Sequence, residues 1–482
     1  MNPEQVLTNT VRRCRERGVI IPTYRQLIDP TQISGHIQDE LRGIGLWDVH
    51  PRNLFRLNWK NEPVRHGGGF GGVNFLELPS SFTGVSARIF VLLGKFFPTG
   101  SHKVGATFGP LVEKLVSGHF DPTTQKALWP STGNYCRGGA YDSTLLGCHS
   151  IAVLPEEMSE ERFAWLEEIG AEVVRTPGCE SNVKEIYDET KRLKAARGDE
   201  IVVLNQFSDF GNPMWHYHVT GRAMQEVFEQ QKREDERFFG VFLTQGSAGT
   251  LASGDYLKTV WPALKLGAGE ALQCPTLLSN GYGGHRIEGI GDKHVPWVHN
   301  LRNTDLVAAI DDNACMSLMR LCNEPTGREV LARAGVPRPL TDRLDLLGIS
   351  SIANVLGCIK MAKYYELGER DCLFTVATDS MELYGSRLDE ARQRYGEYTH
   401  AHAEADYAHW LLGERTDNML ELRYEDRRRM HNLKYFTWVE QQGKDVADLN
   451  AQWYDPDYWE RIWSRVDKWD EEIEEFNERV RG

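Results

Sequence analysis

Four short segments of the 482-residue chain hold residues whose types and spacing could do chemistry. The first is Pro98-Thr99-Gly100-Ser101-His102-Lys103. Its Pro and Gly make a turn, Ser101 can cap, and a helix is predicted to run on through Leu115. A lysine at a helix start feels the positive end of the helix dipole, and a dry pocket penalises its charge. Both lower the amine pKa, as Schiff-base chemistry requires, whereas an ordinary lysine is exposed. The second is Ser131-Thr132-Gly133-Asn134-Tyr135, after a strand predicted at Ala127–Pro130. Hydroxyl, amide and backbone N–H groups converge there, which suits a carboxylate or an ordinary helix cap. The third is Thr244-Gln245-Gly246-Ser247-Ala248-Gly249-Thr250, between a strand at Gly240–Thr244 and a helix at Leu251–Thr259. Small residues let successive N–H groups approach a phosphate, and the helix dipole favours the same anion. This loop is neither a Walker loop nor a GxGxxG turn. The fourth, Thr378-Asp379-Ser380, follows a strand at Leu373–Ala377. A polar side chain at the carboxyl end of a parallel strand can meet a ligand or cap a helix.

These segments need elements to hold them. From Ala87 onward, apolar runs alternate with amphipathic helices. Ser150–Leu154, Ala171–Arg175 and Glu200–Leu204 read as strands, and Glu160–Ile169 and Val183–Ala196 as helices. That alternation predicts an α/β fold with a parallel sheet covered on both faces. The first 85 residues are mixed, with a helix over Glu4–Arg17 and a flexible His66–Gly72 loop. After about Arg387 the chain reads as charged, aromatic helix and holds six of the 13 tryptophans. A disordered tail would be poor in aromatics, so this region is expected to dock on the core or on another subunit. Asp470–Glu475 (DEEIEE) is expected to be a solvated acidic face.

Composition excludes several classes. The net charge of −14 argues against nonspecific nucleic-acid binding. No apolar run is long enough for a membrane span, and the polar start lacks the apolar segment of a signal peptide. Nine scattered cysteines without a CxxC fit reduced thiols in a cytoplasmic protein, with no metal site.

Eight segments together, in order across about residues 87–388, resemble the fold-type II pyridoxal-phosphate enzymes, the cysteine synthase and cystathionine β-synthase group. They are PTGSHK, STGNY, VLPEEMSEERFAWLEEIGAEVVRTPG, NQFSDFGNPMWHYHVTG, TQGSAGT, HRIEGIGDKHVP, LGISSIANV and TDSMELY. The resemblance implies two αβα subdomains with parallel-rich sheets. It implies an N-terminal arm over 1–85, a catalytic core over 86–390 with a mobile small subdomain at about 105–225, and a helical extension over 391–482. It implies pyridoxal 5′-phosphate as cofactor, with Lys103 as its Schiff-base lysine. Gly246, Ser247, Ala248, Gly249 and Thr250 would cradle the phosphate, and Asn134 would bond the pyridine 3′ oxygen. Ser131, Thr132, Asn134 and Gln206 would grip the substrate carboxylate, and Gly289, with Gly291, would line the site near the amine. Ser380 would face the pyridine nitrogen, with the register against Asp379 open by one residue.

The implied reaction is β-elimination or β-replacement on a β-substituted amino acid through an aminoacrylate, as in cysteine synthases, by a homodimer. The long form also resembles the β subunit of 2-amino-4-oxopentanoate thiolase, which implies carbon–carbon cleavage with coenzyme A and a small partner subunit. A serine or threonine dehydratase-type lyase is a further alternative. A silent amino-acid-binding homologue would not need the intact Lys103 and phosphate loop. Three departures from the family stand out. Tyr135 is expected to narrow the substrate pocket. Cys136 is a reactive thiol or, more simply, a buried one. Asp292-Lys293-His294 is expected to be a charged cluster near the mouth, for substrate selection or as a surface turn. His216 and His218 are expected to pack on a helix.

Overall fold

Strongly apolar runs become the strands that set the two layers of this molecule. The computed structural model describes residues 2–131 and 133–482, and among these eleven strands form two sheets. In chain order they are β1 (Phe75–Leu78), β2 (Arg88–Leu93), β3 (Lys126–Pro130), β4 (His149–Pro155), β5 (Glu172–Thr176) and β6 (Ile201–Val203). They continue as β7 (Arg237–Thr244), β8 (Lys265–Ala271), β9 (Leu306–Ile310), β10 (Asp371–Ala377) and β11 (Met419–Glu421). The larger sheet runs β1-β2-β10-β7-β8-β9-β11, and the smaller β5-β4-β3-β6. All pairings are parallel except at the two edges of the larger sheet, where β1 and β11 run antiparallel to their neighbours.

The central strands are buried at every position, β2 as RIFVLL and β10 as DCLFTVA. Strands covered on both faces must be continuously apolar. Helices supply the cover: Ile349–Tyr364 packs on β7 and β10, while Lys103–Val116 packs against Asn134–Leu145 beside the smaller sheet. The segments that could do chemistry leave the carboxyl ends of β3, β7 and β10, which face the crevice between the sheets.

Three expectations change. Residues 75–78 of the expected arm form the edge strand β1, so the boundary at 85 falls between two paired strands. The extension is not all helix: Met419–Glu421 adds β11 to the larger sheet, pairing with β9. A three-residue strand leaves too short an alternation to be read from the chain. The acidic run Asp470–Glu475 is not a solvated face throughout. Asp470 is 2% exposed and accepts hydrogen bonds from the backbone N–H groups of Tyr24 (2.6 Å) and Arg25 (3.1 Å), and Ile473 is buried. Helical spacing turns one side of Arg465–Arg481 onto the N-terminal helices, where the carboxylate caps Tyr24–Ile28.

The extension docks on the core. Trp463 stacks on Tyr217 at 4.6 Å, and Trp438 is 1% exposed and donates its indole N–H to the Val295 carbonyl at 2.8 Å. Lys434 is fully buried beside it. Its amine donates to the carbonyls of Trp297 (2.9 Å) and His299 (2.7 Å) and to Gln452 Oε1 (2.7 Å).

Candidate active site

Lys103 opens its helix after a backbone that bends sharply. Thr99 and Gly100 both have positive φ, 65° and 66°, and Ser101 Oγ accepts the Lys103 N–H at 3.3 Å. The bend turns the lysine side chain into a cleft also lined by His102, Thr244, Gly246, Ser247, Ala248, Thr250, Gly289, Ile290, Asn354, Val376 and Thr378. The amine donates to Ser247 Oγ at 3.2 Å. Burial pushes its pKa down to about 8, against the pull of Asp292 and Glu180, which favour the ammonium. An amine held there is readily neutral near pH 8, the state a nucleophile or base needs.

The loop after β7 is tightly shaped. Ala248 adopts the left-handed conformation (φ 61°). A Cβ at Gly246 would stand 2.6 Å from the Gly289 carbonyl, and one at Gly249 would stand 2.2 Å from Asn212 Oδ1. Asn212 in turn donates to Ser247 Oγ (3.0 Å) and to the Gln206 carbonyl (2.8 Å). The loop is thus a backbone-lined concavity at the start of the Ala252–Val260 helix, suited to an anion.

Gln206 donates to Ser131 Oγ at 3.1 Å, so two expected carboxylate-binding groups sit together. Thr132 lies outside the described residues. Asn134 donates to Asp379 Oδ2 at 2.5 Å and leaves its own Oδ1 buried without a partner. Asp379 also accepts from Tyr384 OH at 2.7 Å, and burial raises its pKa. Ser380 Oγ is buried without a partner. At this strand end Asp379 is therefore engaged in structure while the Ser380 hydroxyl is unspent.

The two sheets are tied together beside the cleft. Arg162 and Arg387 both reach Glu288, at 3.3 Å and 2.7 Å, and Arg162 donates to Tyr384 OH at 2.9 Å. Ser386 donates through N–H and hydroxyl to Glu161, both at 2.7 Å. Arg162 passes so close to the loop after β3 that a Cβ at Gly133 would meet it at 1.9 Å. Glu180, Glu288 and Arg387 also line a larger cavity of about 480 Å³.

Several sequence expectations look different in three dimensions. Tyr135 does not line the cleft. It is buried edge-on against Trp129 at 5.5 Å, because the helix Asn134–Leu145 turns it toward the smaller sheet. Cys136 is buried and donates its thiol to the Trp129 carbonyl at 3.2 Å; burial raises its pKa to about 12, far from a reactive thiolate. Asp292 and His294 are buried and only Lys293 is exposed, so this trio is not a surface cluster. Gly289 lines the cleft, whereas Gly291 packs on His285. His216 and His218 are buried and bond Thr220 Oγ1 and the Trp463 carbonyl. Sequence reasoning gave no individual role to His102, Asn354 or Thr378, although all three fall inside quoted segments and Thr378 opens the strand-end segment singled out for ligand contact.

Pyridoxal phosphate fits these residues on observations of the site itself. There is an anion-shaped loop at a helix start, a half-buried lysine with a lowered pKa, and unspent polar atoms on Asn134 and Ser380. Comparison with known proteins agrees. The family described as pyridoxal-phosphate dependent enzyme matches residues 68–336, more than half the chain. Cysteine synthase of Staphylococcus aureus is 29% identical over 315 residues, covering 65% of this chain and 93% of that protein. Cystathionine beta-synthase of Saccharomyces cerevisiae is 27% identical over 321 residues, 64% of this chain and 59% of its own. The crystal structure of O-acetyl serine sulfhydrylase isoform 3 from Entamoeba histolytica shares the fold, with a TM-score of 0.57 at 21% identity over 71% of this chain and 94% of that one. With its lysine, its phosphate-shaped loop and its two parallel-rich sheets, the chain belongs to the pyridoxal-phosphate dependent enzymes of fold type II.

Proposed function

We propose that the chain catalyses β-elimination or β-replacement on a β-substituted L-amino acid. The observation that carries this is Lys103, an amine lowered to about 8 and bonded to the phosphate-shaped loop through Ser247. The names of the relatives, cysteine synthase and cystathionine beta-synthase, support the same reading. The cofactor, when bound, supplies the electron sink for a carbanion at Cα.

The chain's own residues do the rest. Gly246, Ser247, Ala248, Gly249 and Thr250 hold the phosphate end. Asn134 would bond the ring's 3′ oxygen and Ser380 would face the ring nitrogen, a reading supported by the unspent Asn134 Oδ1 and Ser380 Oγ. A neutral hydroxyl there does not protonate the ring, which suits loss of a β-substituent. Ser131 and Gln206, already paired, bind the substrate carboxylate, with Thr132 beside them in sequence. Gly289 lets the substrate amine approach. Lys103, once free, takes the proton from Cα as general base. The Arg162–Glu288–Arg387 tie joins the elements that carry the two sheets. The nine free thiols support a reducing, cytoplasmic setting, and a homodimer is proposed as the working form.

A spectral screen of the loaded enzyme tests the proposal. β-Chloroalanine, O-acetylserine or serine should shift its visible absorption and release pyruvate or, with sulfide, a thiol amino acid. A response confined to 2-amino-4-oxopentanoate with coenzyme A would replace the proposal with thiolysis.

A further inference from the structure

Among the described residues, none of the C-terminal extension lines the cleft, yet Trp438 of that extension is joined to the turn that carries Gln206. The extension's segment Tyr435–Gln441 reaches both sheets. Lys191, on the helix Val183–Arg197 that packs on the smaller sheet, donates its amine to the Gln441 carbonyl at 2.7 Å. Trp438 donates its indole N–H to the Val295 carbonyl, in the connection between β8 and β9 of the larger sheet. Lys434 binds the carbonyls of Trp297 and His299 in the same connection. Between these anchors the indole closes an aromatic cluster. Its ring lies 6.0 Å from Tyr187, 5.6 Å from His294 and 6.3 Å from Trp297. Tyr187 OH is 3.2 Å from His294 Nε2. Phe207 completes the cluster, 4.9 Å from His294 and 6.0 Å from Tyr187, and all five rings are buried.

Phe207 follows Gln206 directly, and their turn is closed on itself. Asn205 Oδ1 accepts the Phe207 N–H at 3.0 Å, and Asp209 Oδ2 accepts the Asn205 N–H at 2.6 Å. The Phe207 carbonyl accepts the Val298 N–H at 3.3 Å, so the turn is fastened to the connection that Trp438 and Lys434 hold. On its other side, Asn212 donates to the Gln206 carbonyl (2.8 Å) and to Ser247 Oγ (3.0 Å), the hydroxyl that also receives the Lys103 amine. The Gln206 side chain is buried, and its amide nitrogen carries two N–H donors. One is spent on Ser131 Oγ, and the second is the donor a carboxylate would take. A donor fixed in place meets its ligand without the cost of being ordered first, whereas one on a loose turn pays that cost.

We propose that Trp438 is a positioning residue for the substrate carboxylate: through Tyr187, His294 and Phe207 it fixes the turn that presents Gln206 to Ser131. The proposal rests on the reading that Gln206 and Ser131 bind that carboxylate. Trp438 touches no reacting atom and acts only through Gln206. Removal of the indole leaves a cavity beside Tyr187 and His294, and the Phe207 ring relaxes toward it and carries Gln206 along. Lys103 is held separately, by Ser101 and Ser247, so loss of the brace weakens binding of the amino acid more than proton transfer.

Trp438→Ala in the full chain is the test, with two readouts. In hydrogen–deuterium exchange followed by mass spectrometry, residues 204–212 should exchange about tenfold faster than in the parent, while residues 103–116 are unchanged. No rise at 204–212 overturns the proposal, and so does an equal rise in both segments, the mark of general loosening. In the loaded enzyme, KM for β-chloroalanine or O-acetylserine should rise about tenfold with kcat within about threefold of the parent, as for loss of one hydrogen bond to a charged group. A fall in kcat at constant KM overturns the proposal. Gln206→Ala should raise KM alike, and Trp438→Ala added to it should raise KM no further; an additive rise overturns action through Gln206. Should Trp438→Ala fail to fold, Trp438→Phe keeps a ring, loses the N–H to Val295, and should show the same pattern at about threefold, with unchanged exchange at 204–212 again overturning the brace. Exchange needs neither cofactor nor substrate. Faster exchange in Trp438→Ala beside an unchanged KM in Gln206→Ala therefore overturns the carboxylate reading, and the role of Trp438 with it, as a failure distinct from that of the brace.

Discussion

Two of the lysines withdrawn from water in this chain are used in opposite ways. Lys434, in the C-terminal extension, holds its amine within hydrogen-bond distance of three oxygens, those of Trp297, His299 and Gln452. Lys103, in the cleft, meets a hydroxyl of Ser247 and the fields of two carboxylates. Burial lowers both amines. A saturated amine costs too much to move, so it fastens one region to another. An under-satisfied amine costs stability but remains available to a ligand. Satisfaction of the donor, more than burial, separates architecture from chemistry here.

That contrast can be broken by substitution. Lys103→Ala should abolish turnover by about 10⁴-fold or more and remove the visible absorption of the loaded protein, while its thermal melt stays within a few degrees of the parent. A large loss of stability would mean that Lys103 is structural. Trp438→Ala removes a buried indole that packs between His294 and the extension, and should cost about 3–5 kcal/mol in denaturant unfolding. Lys434→Met sharpens the comparison through pH. Burial holds the folded amine below the unfolded lysine value of about 10.4, so the unfolded chain binds more protons beneath that pH. Stability of the parent should therefore rise from pH 7 toward pH 10 relative to Lys434→Met, and parallel curves would show that the amine is charged in the fold. Asp470→Ala, which uncaps Tyr24–Ile28, should have the smallest effect, about 0.5–2 kcal/mol, with activity unchanged.

What could be read from the chain was what is local. The turn before Lys103, the small residues of Gly246–Thr250 and the strand before Thr378 each lie within a few residues of the element that positions them. The parallel sheets followed from apolar runs of ordinary strand length. Asp292 was visible as an unusual residue after the Gly289–Gly291 turn, but charge alone suggested a surface. His294, two residues on, packs against Tyr187, Phe207 and Trp438, each far away along the chain, and no local pattern encodes the burial of this loop. The acidic run at Asp470 misled for the same reason, since its partner backbone is that of Tyr24 and Arg25. Tyr135 was placed in the pocket because of its neighbours in sequence, whereas helix rotation decides which neighbour points inward.

The grip of the extension on the loop after Asp292 has a consequence in time. Every cleft-lining side chain has left the ribosome once β10 and Ser380 are made, yet the residues that fasten the loop come later, at Lys434 and Trp438. About a hundred further residues lead to the helix Arg465–Arg481, which seals the N-terminal helices. At roughly 5–20 residues per second that is an interval of several seconds. During synthesis the segments that line the pocket are therefore all made before the segments that anchor the loop after Asp292.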